Sequence, residues 1–230
     1  IAASRPTGFR TDGRRQGETM RLNLVTAGLV RDAIERRDLD DGCAVLEMRL
    51  RQPDWAFSVT HRLTLPDRRP YLIATTRVRN DGDAPLRIES LASFCLGGIT
   101  PFADDDAPGR LRVHRFHTGW ASEGRRVTDS VERLHLERSW LGPNPSTLRF
   151  GSIGSRPISR WFPSVALEDI HARVTWAAAL AAPASWQIQL QRVDDTLSLD
   201  GGLADREFGQ WFVDLEPGQA FDAPPAALTA

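Results

Sequence analysis

Apolar and polar residues alternate with a period of two along most of this chain, and that alternation restricts the available folds more than any other feature. The runs "MRLNLV" (20–25), "AVLEMRLR" (44–51), "WAFSVTHRLTL" (55–65), "YLIATTRVRN" (71–80) and "PLRIESLASFCL" (85–96) each set apolar side chains on one face of an extended segment. Turn-forming clusters separate the runs: "DDG" at 40–42, "LPDRRP" at 65–70, "NDGDA" at 80–84, "GPNP" at 142–145, "DGG" at 200–202 and "EPGQ" at 216–219. Because "NDGDA" holds residues that tolerate positive φ, it predicts a hairpin joining 71–80 to 85–96. Further strands are expected at 111–118, 130–137, 164–169, 172–181, 185–191, 196–199 and 211–215, with 219–229 closing the chain. Two segments are less clear. "AGLVRDAIERRDL" (27–39) spaces Leu29, Val30 and Ile34 for either a helix or a strand pair, whereas "VTWAAALAAP" (174–183) is Ala-rich but begins with Val-Thr-Trp and ends at Pro183, which favours a strand. Under either assignment the expected class is all-β, an antiparallel domain of two packed sheets over residues 1–230 with no internal boundary.

At 230 residues and 41% hydrophobic content the chain can bury a substantial core. The 29 basic residues, all arginine, balance 30 acidic ones and form no basic block, so nucleic acid is not an expected partner. No apolar run reaches the roughly 20 residues of a membrane helix, and no membrane partner is expected. Cys43 and Cys95 are too far apart for a zinc ribbon or a C-x-x-C pair, and two buried free thiols are expected. No signal peptide is visible in "IAASRPTGFRTDG", which favours a cytoplasmic protein; a first residue of Ile points to a cut fragment whose upstream sequence is left open.

The densest chemistry lies in "RVHRFHTGWASEGR" (112–125). In a strand His114 and His117 point to opposite faces, so they do not chelate a metal together, and no metal or cofactor is expected. His117 and Glu123 flank Gly119 and would meet as an acid/base pair only if the turn folded them together; a plain strand end, with Glu123 bound to an arginine, is the simpler account. Trp120 suits the apolar face of a pyranose, with arginine and glutamate for its hydroxyls. Trp120, Trp140 and Trp161 lie next to Gly or Pro and are expected in loops, whereas Trp55, Trp176 and Trp186 lie in alternating runs and are expected in the core or on a sheet face. "GGLADREFGQW" (201–211), with Asp205, Arg206 and Glu207 between glycines and aromatics, has the makings of a fixed polar loop. The candidate binding or interdomain residues are therefore His117, Trp120, Glu123, Arg125, Trp140 and Trp161, and no residue is assigned a catalytic role. No G-x-S-x-G elbow, P-loop or dinucleotide fingerprint is present.

In order, "TRVRNDGDAPLRIESLASF", "RVHRFHTGWASEGR", "RFGSIGSRPISRWFPSVALED", "VTWAAALAAPASWQIQL" and "LSLDGGLADREFGQWFVDLEPGQAFDAPPAALTA" resemble the N-terminal domain of glycoside hydrolase family 36, the α-galactosidases. The resemblance implies a β-supersandwich of the galactose mutarotase-like type, preceding a catalytic (β/α)8 barrel that carries the family's two catalytic aspartates. A barrel needs about 250 residues of alternating strand and helix, which this chain lacks, so the implied role is non-catalytic: to pack on the barrel, to support a homo-oligomer, or to edge the site that takes an α-galactoside oligosaccharide. Two other roles fit a mutarotase-like sandwich. One is a free-standing aldose epimerase using His117 with Glu123 or Glu207, and the other is a carbohydrate-binding module working through exposed tryptophans.

Overall fold

The computed structural model of the chain describes residues 1–4, 20, 23–100, 103, 106–138, 146–156 and 158–230. It opens with β1 (Ala2–Ser4) and a one-turn helix α1 (Leu24–Ala27), followed by β2 (Val30–Asp38), β3 (Ala44–Gln52), β4 (Phe57–Leu65), β5 (Leu72–Asn80), β6 (Leu86–Ser90) and β7 (Ala92–Leu96). The remainder comprises β8 (Leu111–His117), β9 (Arg126–Ser130), β10 (Ser146–Ser152), β11 (Trp161–Asp169), β12 (Val174–Leu180), β13 (Trp186–Val193), β14 (Thr196–Leu203), β15 (Val213–Leu215), β16 (Ala220–Asp222) and β17 (Ala226–Thr229). All pairings among these strands are antiparallel.

Ten strands form one large sheet in the order β2-β3-β4-β5-β17-β12-β11-β8-β9, with β16 also paired to β5. One face of it is covered by two smaller sheets, the four-stranded β10-β13-β14-β7 and the three-stranded β1-β6-β15. Each small sheet closes its own core. Val113, Val165, Leu167 and Ala178 of the large sheet meet Phe94, Ile188, Leu190 and Leu199 of the four-stranded sheet. Phe57, Val59 and Val78 meet Leu86, Ile88 and Leu215 of the three-stranded one. Burying a side chain of this kind contributes roughly 1.5–3 kcal/mol, so these rows hold the layers together. The all-β two-layer class expected from the alternation is the one observed.

On the opposite face of the large sheet, alternate residues are polar. There Glu47 is buried beneath arginine stems, 2.7 Å from Arg62 and 3.3 Å from Arg37, and the Arg62 hydrogen bond is the largest influence holding its carboxyl below the ordinary value.

Several local expectations are corrected. The hairpin across "NDGDA" does not form, because β5 pairs within the large sheet while β6 pairs with β1 and β15, so residues 81–85 carry the chain from one layer to the other. Buried Asn80 holds this crossing: its Nδ2 donates to Ala84 O and Leu215 O, each at 2.9 Å, and its Oδ1 accepts from Gly82 N at 3.0 Å. Of the strand expected over 20–25, residues 21 and 22 lie outside the described residues, while Leu24 and Val25 belong to α1, capped by Asn23, whose side chain accepts from Thr26 N at 2.9 Å. A helix over 27–39 is not found; Gly28 ends α1 and the following residues form β2. The strand expected at 130–137 lies earlier, at β9, and the closing segment is split into β16 and β17 by Pro224 and Pro225, which lack ladder donors. Neither cysteine forms a disulfide, but the expected burial is not found: Cys43 is half-buried and Cys95 exposed, because Phe94 takes the core face of β7 and turns its neighbour outward.

Candidate functional site

β8 ends at His117, and the chain returns to β9 through a hydrogen-bonded loop. His117 N donates to Arg125 O (3.0 Å), Gly124 N to His117 O (2.8 Å), Ser122 N to Gly119 O (2.9 Å) and Arg125 N to Ser122 O (3.0 Å), while the Ser122 hydroxyl also donates to Gly119 O (3.0 Å). Thr118 N donates to Arg160 O at 3.1 Å, tying the loop to the start of β11. The turn takes positive φ at Ala121 (57°) and Gly124 (74°); only the glycine does so without cost. Trp120 stands at its apex, 96% exposed. Glu123 and Arg125 are also exposed.

Beneath the loop lies a stack of rings. The His117 imidazole packs on the Trp161 indole, and Phe150 of β10 presents its edge to Trp161 and to fully buried Trp186, at 6.1 Å in each case. The Arg115 guanidinium sits 4.7 Å from the Trp161 ring and 2.9 Å from Asp129, with both partners nearly buried. Arg160 approaches Trp161 from its own neighbouring position, 5.6 Å from the ring.

Of the residues singled out from sequence, His117, Trp120, Glu123 and Arg125 are gathered in this one loop. Trp161 is not in a loop, as its neighbours suggested, but begins β11 and is buried; Pro163 is accommodated by an irregular register between Trp161 and Val165. Trp140 lies outside the described residues. His117 and Glu123 share no hydrogen bond or ion pair among the described residues; the imidazole is engaged with Trp161 and Glu123 is exposed. His114 points to the other face of the sheet. There its Nε2 lies 3.0 Å from Glu168 Oε2 and its Nδ1 2.9 Å from the Thr128 hydroxyl.

Of the 201–211 segment expected as a fixed polar loop, Gly201, Gly202 and Leu203 instead continue β14, and residues 204–211 form the loop, organised by Asp205, which is fully buried. Its Oδ1 accepts from Glu207 N (2.9 Å) and Phe208 N (2.7 Å), and its Oδ2 accepts from Gln187 Nε2 (2.7 Å). Trp211 N closes the loop on Asp205 O at 3.0 Å. Sequence reasoning missed Arg115, Asp129 and Phe150 as supports of the ring stack. Arg115 occupies the same alternation as Val113 and His117, so a charged residue in an inward-facing position was the available signal. Among the described residues no group of three or more His, Cys, Asp or Glu is placed to hold a metal ion.

No family model and no curated protein matches the sequence. Solved structures do match. The galactosidase domain of an α-galactosidase–sucrose kinase superposes with a TM-score of 0.68 at 18% identity, over 87% of this chain and 27% of its own. A GH36 α-galactosidase from Geobacillus stearothermophilus, in complex with stachyose, gives 0.67 at 14% identity over 87% and 27%. The α-galactosidase from Lactobacillus brevis gives 0.64 at 15% over 87% and 26%. The chain thus spans about a quarter of the length of these proteins. At such identities a shared fold is what the superpositions establish, and the fold of this chain is one that occurs as a part of GH36 α-galactosidases.

Proposed function

We propose that the chain is a non-catalytic domain of a retaining glycoside hydrolase that removes terminal α-galactose, and that it packs on a catalytic (β/α)8 barrel in the full-length protein. The observation that carries this reading is the superposition itself, which uses 87% of this chain and only 27% of an α-galactosidase. Two buried carboxylates, Asp205 and Asp169, agree with a non-catalytic part. Asp205 is occupied by three donors, and Asp169 by the amides of His171 and Ala172 together with Arg110, so neither is free to act as nucleophile or acid. In this reading the 116–125 loop, with Trp120, Glu123 and Arg125, faces the barrel, a neighbouring subunit of a homo-oligomer, or the rim of the site that takes the α-galactoside oligosaccharide. A rigid exposed tryptophan beside charged groups supports it, since Trp and Arg are enriched among the residues that dominate interfaces.

The test compares the natural gene product with the 230-residue chain by intact mass and by hydrolysis of a chromogenic α-galactoside. A product several times heavier that cleaves the substrate, with no cleavage by the 230-residue chain, is the expected result. A natural product of this size, or a longer one inert toward α-galactosides, overturns the proposal.

A further inference from the structure

We propose that the exposed inner face of β3 and β4 is the seat of an outer helix of the catalytic barrel, a proposal that rests on the domain reading above. The inner face is the one that carries both small sheets, and farther along the same two strands Leu50 and Val59 pack into the smaller core. Toward Leu65 the face continues past that cover. The register sets Met48 beside Ile34 and His61, Leu46 beside Leu63, and Ala44 beside Leu65, all on this side of the sheet. Burial across β3 is inverted as a result. Val45 and Glu47, on the outer face, are 7% and 6% exposed, whereas Leu46 is 40%, Leu65 43% and Ile34 50%. Strict alternation prescribes one dry and one wet face, and here the face prescribed as dry is the one left wet. Contiguous apolar surface of this kind marks an interaction site.

At Leu65 this surface runs into a groove of about 230 Å³ at the lip of the larger core, lined by Tyr71, Leu72, Leu96, Trp176 and Leu228. An apolar groove open along one side receives the apolar stripe of an amphipathic helix. A strand from a second copy is not the fitting occupant, because β2 at the sheet edge carries Arg31, Asp32, Glu35, Arg36, Arg37 and Asp38 and breaks register between Arg31 and Ala33. Charges and a bulge keep an edge from pairing with another chain. The matched region is only 27% of an α-galactosidase of this fold, so the remaining length of such a protein is there to cover the face. In a (β/α)8 barrel the outer layer is a ring of helices, each able to lay an apolar stripe on a sheet.

The experiment labels the natural full-length product and the 230-residue chain with a photolytic carbene and reads the modified residues by mass spectrometry. Labelling at Leu46, Met48 and Leu65 is expected to fall at least about fivefold in the longer protein, while Arg77 and Arg79 on the outer face change less than about twofold. Leu46→Glu combined with Leu65→Glu is expected to leave the melting temperature of the 230-residue chain within about 2 °C, since both side chains are exposed there. In the full-length protein the same pair is expected to return Met48 labelling to the level of the 230-residue chain. Equal labelling of the two proteins, or protection that persists in the double variant, overturns the proposal. So does protection that arises in the 230-residue chain as its concentration is raised, which assigns the face to a second copy. Hydrolysis of a chromogenic α-galactoside by the same sample separates the two readings. Protection without cleavage supports the docking face and overturns the hydrolase, whereas cleavage with the face fully labelled overturns the docking face alone.

Discussion

The His117 imidazole lies on the Trp161 indole with ring centroids 4.2 Å apart and planes 22° from parallel. This contact joins the end of β8 to the start of β11, and through Phe150 the same stack reaches the four-stranded sheet. The loop that carries Trp120 therefore rests on a feature that also clamps the two layers. Trp161→Ala removes the centre of that stack and leaves Arg115 without the ring it covers. Unfolding free energy is expected to fall by about 3–5 kcal/mol, measured by urea denaturation. His117→Ala, which removes only the half-exposed upper ring, is expected to cost about 0.5–1.5 kcal/mol.

Asp205→Ala leaves two backbone N–H groups and the Gln187 amide without their acceptor in a buried place. A loss of about 2–4 kcal/mol is expected, since each orphaned donor costs desolvation that was previously met by the Asp205 side chain. The 204–211 loop should loosen first, which hydrogen exchange at Glu207 and Phe208 would detect as a selective loss of protection.

Acid should weaken the turn between β11 and β12. Burial acts to raise the pKa of Asp169, but the amides of Ala172 and His171 and the Arg110 guanidinium outweigh it and hold the carboxyl below its ordinary value of 3.8. A carboxyl with a lower pKa folded than unfolded stabilises the fold fully above the unfolded value, and that contribution is lost as pH falls through the folded value. The difference in unfolding free energy between the native chain and Asp169→Asn is therefore expected to be constant near neutral pH and to shrink below about pH 4. A difference that grows on acidification would contradict this assignment.

Gly151→Ala tests the closeness of β10 to β13. A methyl group built there runs into the Trp186 carbonyl oxygen and meets Phe208 Cε1 at 2.9 Å, so the strands must part. The expected cost is about 1–3 kcal/mol, with a changed near-ultraviolet signal from Trp186. Gly218→Ala offers a control for steric contact, because nothing lies within 4 Å of an added Cβ; only its φ of +79° disfavours the change.

The strands at 44–52, 57–65 and 72–80 were legible because each has one wet and one dry face, and a period of two has no other economical interpretation. The opposite directions of His114 and His117 followed from the same rule. The polar loop around Asp205 was visible as charged residues set between glycines and aromatics, although its acceptor role was not. Alternation is a local property, however, and reads the same in either layer. For that reason β5 and β6 looked like a hairpin, while in the fold a short crossing held by Asn80 sends them to different sheets. The tryptophans show the same division. Sequence alone marked Trp120 and Trp161 alike as loop residues beside turn formers, but burial depends on what the rest of the chain brings alongside. Only the tertiary structure set His117, Arg115 and Phe150 around Trp161 and left Trp120 exposed.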